Sequence, residues 1–227
     1  MTTWARRLLT LAMLFTAARG TALAQTTAPE GAPGVSPPFG TRLFYGPTAR
    51  TLPAGSAYVG VYELILPFVQ IGVTDRISIG GGTPLWFGFE EGTRPFYITP
   101  KIQIANTGRT QVAVGAMHAF VSGFDGGGVA YGVVTTGDAD KSITASTGVY
   151  YAGGAVRGVI VSVGGERRIT NRIRFITENA ISQAGFGMIS GGTRFMGRHW
   201  SADAALWTPL GVGLVRPFLL ANFAYAF

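Results

Sequence analysis

The segment His199-Trp200-Ser201 sets an imidazole two residues from a hydroxyl, with Asp203 two residues further on. On an extended strand residues i and i+2 share a face, so this spacing would let His199 take the proton of Ser201 while Asp203 orients the ring. A polar turn carrying an interfacial tryptophan explains the same residues without chemistry. His118, the other histidine, has no His, Cys or acid at metal-ligand spacing, and the chain contains no cysteine. Asp138 and Asp140 lack the glycine and distal glutamate of a calcium loop, and read as turn residues. Gly80-Gly81-Gly82 and Gly126-Gly127-Gly128 are followed by no Gly-Lys-Ser/Thr, so neither is a phosphate loop. No metal, cofactor or nucleic acid is implied.

The elements that would position these residues follow from composition and period. Arg6 and Arg7 precede the apolar run Leu8 to Phe15, and Ala22-Leu23-Ala24 supplies an A-x-A site, so residues 1–24 read as a signal peptide. A twin-arginine route is the less ordinary alternative. Cleavage there would lower the formal charge of +7 by three, through Arg6, Arg7 and Arg19. Residues 25–40 hold Pro29, Pro33, Pro37 and Pro38, and read as an extended or disordered lead-in, with ordered structure starting near Thr41. Beyond it the signal is alternation with period two. Lys101 and Gln103 alternate with Ile102 and Ile104, Ser142 and Thr144 with Ile143 and Ala145, and Ser162 and Gly164 with Val161 and Val163. Polar turns near Asp75, Thr107, Ala139, Asn171 and His199 recur about every 32 residues, enough for two membrane-crossing strands and a connection. The strands expected are 55–63, 65–73, 76–83, 95–105, 110–120, 128–136, 142–151, 157–166, 172–181, 186–197, 200–208 and 216–227. The first pair is the least defined, because Leu64 to Pro67 contains no glycine; without it the count is ten.

With 34 glycines, 47% apolar residues and only 13% charged, there is too little charge to cover a water-facing surface. That favours an all-β, transmembrane, antiparallel up-and-down β-barrel over residues 41–227, with a soluble β-sandwich as the broad alternative. The chain ends Phe223-Ala224-Tyr225-Ala226-Phe227, which resembles the C-terminal signal of bacterial outer-membrane barrels. The resemblance implies an outer-membrane location, recognition of Phe223, Tyr225 and Phe227 by the barrel-assembly machinery, and contact with outer-membrane lipids. The stretches Pro47 to Pro53, Pro67 to Val69 and Gly72 to Arg76 also resemble segments of uncharacterised outer-membrane proteins. His199-Trp200-Ser201 resembles the His-x-Ser pair of outer-membrane lipid hydrolases such as phospholipase A and lipid A deacylase, but without the Asn that follows the serine there.

In such a barrel both termini and the polar turns face the periplasm, and Pro84 to Arg94, Ser122 to Gly127 and Pro209 to Val215 form the outer connections. Aromatics fall into two groups: Trp86, Phe87, Phe89, Phe96, Tyr97, Tyr150, Tyr151 and Trp207 toward one boundary, and Phe195, Trp200, Tyr225 and Phe227 toward the other. Alternation directs Arg76, Lys101, Arg172, Arg174 and Arg194 into the lumen, joined by Glu63, Glu166 and Glu178, with Gln70 and Gln103 as neutral lining. Two outcomes remain open: an excess of bases attracting anions through a passive channel for small solutes, or Arg and Glu neutralising one another in a closed structural barrel. A lipid hydrolase built on His199 and Ser201 is the third reading.

Overall fold

The computed structural model describes residues 38–85, 94–211 and 216–227. The expected leader, residues 25–37 of the lead-in, and Trp86, Phe87 and Phe89 lie outside them.

Period-two alternation becomes one antiparallel sheet closed on itself. Its strands are β1 (Ala57–Tyr62), β2 (Leu66–Thr74), β3 (Ile77–Gly82), β4 (Phe96–Ile98), β5 (Lys101–Asn106), β6 (Thr110–Val121), β7 (Phe124–Gly137), β8 (Lys141–Ala152), β9 (Ala155–Thr170), β10 (Ile173–Ser182), β11 (Gly187–Met196), β12 (Trp200–Leu210) and β13 (Phe218–Ala226). Apart from β4 and β5, each pairs with its chain neighbour, and β13 returns to β1 with Tyr58 opposite Ala226 and Tyr62 opposite Asn222. Closure leaves no unpaired edge. Segments β4 and β5 both pair with β3 and β6, and are halves of one strand interrupted at Thr99-Pro100, where proline has no N–H for the ladder. The barrel therefore has twelve strands.

The uncertain first hairpin is present. Tyr62 accepts from the N–H of Ile65 at 3.1 Å across a tight turn in which Glu63 and Leu64 hold φ of 50° and 60°, the geometry that usually selects Asn-Gly. Strands β7 and β9 run longer than the expected 128–136 and 157–166. The connection after β6 shrinks accordingly from Ser122–Gly127 to Ser122 and Gly123, with Gly123 at φ 78°.

The alternation is inside-out relative to a soluble protein. Ile102, Ile104, Ile143, Val161, Val163, Ile181, Ile189 and Leu206 are 46–57% exposed on the outer wall, while Lys101, Ser142, Thr144, Glu178 and Arg194 face inward at 4% or less. Such a wall suits lipid, not water. Phe195, Trp200, Phe223, Tyr225 and Phe227 lie exposed at one boundary, with Trp200 stacked on Phe223. Tyr97 and Trp207 depart from the expected belt, because each packs inward against a buried cluster.

Candidate functional site

Residues 38–53 are the departure with the largest consequence. They are neither lead-in nor strand. A short 3-10 turn (Pro38–Thr41) leads into a hairpin in which Leu43 donates to Gly46 O at 2.8 Å and Thr48 donates to Thr41 O at 3.1 Å. This hairpin lies inside the barrel, with Phe39, Leu43, Phe44, Thr48, Ala49, Arg50 and Leu52 all buried. Phe39 and Leu52 pack with Tyr58, Phe68 and Ala224; Leu43 and Phe44 with Ile176, Ala205 and Leu220; Ala49 with Ala113 and Val133. Leu43 approaches so closely that a Cβ on Gly164 would sit 2.6 Å from its Cδ1.

An irregular segment inside a barrel carries backbone groups that no ladder satisfies, each costly if left unpaired. The polar wall satisfies them. Lys101 Nζ donates to the carbonyls of Thr41, Thr48 and Arg50 at 3.1, 3.0 and 2.6 Å. Gln103 donates to Ala49 O, and Thr135 Oγ1 accepts from Ala49 N, both at 2.9 Å. The Glu178 carboxylate accepts from the N–H groups of Phe44, Tyr45 and Gly46 at 2.8, 3.0 and 2.8 Å. Arg194 donates to the carbonyls of Phe39, Arg42 and Leu43, and Asn222 to Phe44 O at 3.2 Å.

Two charge clusters complete the interior. Asp203 receives Arg42 at 3.0 Å and Arg194 at 2.6 Å, while the Arg42 guanidinium lies over the rings of Tyr62 and Phe68. Glu166 pairs with Arg50 and, at 3.6 Å, with Arg174. Arg174 also donates to Ala139 O and Arg50 to Asp138 O, tying the hairpin to the β7–β8 turn. In that turn Asp138 accepts from the N–H groups of Asp140 and Lys141, which hold its carboxyl below the usual carboxylate range.

Of the residues expected in the lumen, Lys101, Arg174, Arg194, Glu178 and Gln103 are buried against or beside the hairpin, and Gln70 lies in β2 next to Gly80. Glu63 sits in the β1–β2 turn, where Tyr45 donates to it. Arg76 and Arg172 are not with them: both are exposed in turns, where strand alternation no longer sets the direction of a side chain. Arg42, Arg50 and Asn222 were missed. The one signal available was the apolar set Phe39, Leu43, Phe44 and Leu52 with two arginines, placed before the first strand. The His199-Ser201-Asp203 arrangement does not assemble. His199 is exposed in its turn, Ser201 is fully buried with no hydrogen-bond partner for Oγ among the described residues, and both oxygens of Asp203 are taken by arginines. Among the described residues no cluster of His, Cys, Asp or Glu could hold a metal.

No protein-family model matches the chain, and no curated protein does. Among solved structures, a KdgM porin matches with a TM-score of 0.57 at 8% identity, over 76% of this chain and 98% of that one. A KdgM porin in complex with disordered oligogalacturonate matches with a TM-score of 0.58 at the same identity and coverage. The fold is that of a twelve-stranded porin. At 8% identity the likeness is one of architecture, and this barrel's interior must be read from its own residues.

Proposed function

We propose that this chain is an outer-membrane barrel that passes small anionic solutes, with the hairpin 38–53 controlling whether the path is open. The observation that carries the proposal is the hairpin itself, held in the lumen through its backbone by Lys101, Gln103, Thr135, Glu178, Arg194 and Asn222. Its apolar anchors Phe39, Leu43, Phe44 and Leu52 contribute about 1.5–3 kcal/mol each. Ordering the segment costs roughly 1–2 kcal/mol per residue, so the polar contacts decide whether it stays.

Charge supports the anionic reading. With the hairpin in place, Arg42, Arg50, Lys101, Arg174 and Arg194 outnumber Glu166, Glu178 and Asp203 in the interior, which would favour anions. Removing it leaves the wall bases Lys101, Arg174 and Arg194 balanced by those acids, so the anion preference requires that the hairpin open the path by shifting within the lumen, with Arg42 and Arg50 still inside. One structural neighbour is described in complex with oligogalacturonate, an anion. In this reading the rim of short turns faces the periplasm, and Phe223, Tyr225 and Phe227 form the signal taken by the barrel-assembly machinery.

Planar-bilayer recordings in a KCl gradient test the proposal. The full chain is expected to give small, intermittent currents with an anion-selective reversal potential; removal of residues 38–53 should raise conductance and move the reversal potential toward zero. The buried ion pairs favour a second reading, a barrel held shut for a structural role. Silence from both forms, each folded, would support that reading and overturn the channel.

A further inference from the structure

We infer that Lys141 and Arg167 form a binding site for the phosphate of an anionic phospholipid, on the outer wall at the rim of short turns. Ser142 and Glu166 point into the barrel at 3% and 4% exposure, so their neighbours Lys141 and Arg167 point outward, and both are exposed. They are directly opposite one another between β8 and β9. The N–H of Arg168 donates to Asp140 O at 2.6 Å, which makes Lys141 and Arg167 a non-hydrogen-bonded pair, the kind whose side chains come closest, with Cβ atoms about 4.5–5.5 Å apart. Like charges so placed destabilise a sheet. Among the described residues neither forms an ion pair: the nearby carboxylate of Asp140 is held by Arg168 at 2.8 Å, and that of Asp138 caps its own turn. An anion from outside is the missing partner.

The surrounding wall says which anion. Arg167 is also opposite Phe175, which is 47% exposed, so the outward row runs cation, cation, aromatic. One step toward the middle of the wall the row is Ile143, Gly165 and Thr177, with Ile143 53% exposed. Gly165 puts no side chain between Ile143 and Thr177 in that row, and Val163, 52% exposed, follows on the same strand. Two unpaired cations at the edge of this exposed apolar wall match a phosphodiester with its acyl chains lying along the wall. A zwitterionic lipid brings its own cation and fits less well. Arg172, exposed in the adjoining turn, adds to the field.

The site rests on the membrane reading above, and its test separates the two. The full chain, refolded into vesicles and then extracted in detergent, would be followed by native mass spectrometry with dioleoyl phosphatidylglycerol, dioleoyl phosphatidylcholine or inorganic phosphate. Phosphatidylglycerol is expected to be retained over phosphatidylcholine, with retention falling about fivefold for each of K141Q and R167Q. K141R, R167K and R76Q, a base in the β2–β3 turn across the barrel, should leave it unchanged. A gel shift on heating confirms that each variant is folded. Equal retention of both lipids, unaltered retention in the K141Q/R167Q double variant, or displacement by millimolar inorganic phosphate would overturn the lipid site. A chain that never enters vesicles would instead contradict the membrane reading.

Discussion

Asp203 neutralises two buried guanidinium groups, one from the hairpin and one from the wall. Asp203→Asn leaves Arg42 and Arg194 facing each other without a counter-charge, a loss of about 3–5 kcal/mol for a buried pair. The strand ladder does not depend on that pair, so the cost should appear as release of the hairpin. Limited proteolysis of folded protein in detergent checks it: the native chain should resist cleavage within 38–53, and the variant should be cut there while the barrel still shifts on heating. Glu178→Gln keeps the shape but replaces one acceptor oxygen beneath the N–H groups of Phe44, Tyr45 and Gly46, a smaller loss of about 1–3 kcal/mol, with cleavage intermediate between the two. At this scale the sequence told which way side chains point, and not what they meet. Alternation was enough to turn Lys101, Arg194 and Glu178 inward. It could not pair Asp203, a possible orienting acid for His199 four positions away, with Arg42, because Arg42 lies 161 residues earlier in a segment with no period at all; its other partner, Arg194, is opposite it on β11.

Strands carry their own tests. Val161, 48% exposed on β9, faces outward in the middle of the wall, and Val161→Arg should cost roughly 2–4 kcal/mol in a bilayer, read as a lower urea midpoint for folding into vesicles. A soluble sandwich would show almost no change, since an exposed valine there already meets water. Leu64 sits at φ 60° and is 63% exposed in the β1–β2 turn. Leu64→Gly removes left-handed strain worth about 1–2 kcal/mol, partly offset by the greater freedom of glycine in the unfolded chain, and should raise the thermal midpoint in detergent. The same turn explains why the first hairpin was hard to see: Glu63-Leu64 adopts a conformation its residue types do not advertise. The other strands were legible because lipid outside and polar groups inside impose a strict period of two, broken by Pro100 and by turn residues.

The barrel as a whole was readable from that period, the turn spacing and the aromatic terminus, but its filling was not. Composition contains the same arginines and glutamates whether they line an open path or hold a hairpin, so alternation by itself leaves the open and closed readings equal. The central claim is that this hairpin governs passage through the barrel. Ala49 in the hairpin and Ala113 on β6 are fully buried in one cluster, and the chain has no cysteine to interfere. Ala49→Cys with Ala113→Cys therefore permits a reversible lock, and the deciding measurement is single-channel current through this double variant before and after reduction. Current absent when oxidised and restored by reductant is the predicted result; current unchanged by the bond would contradict the account.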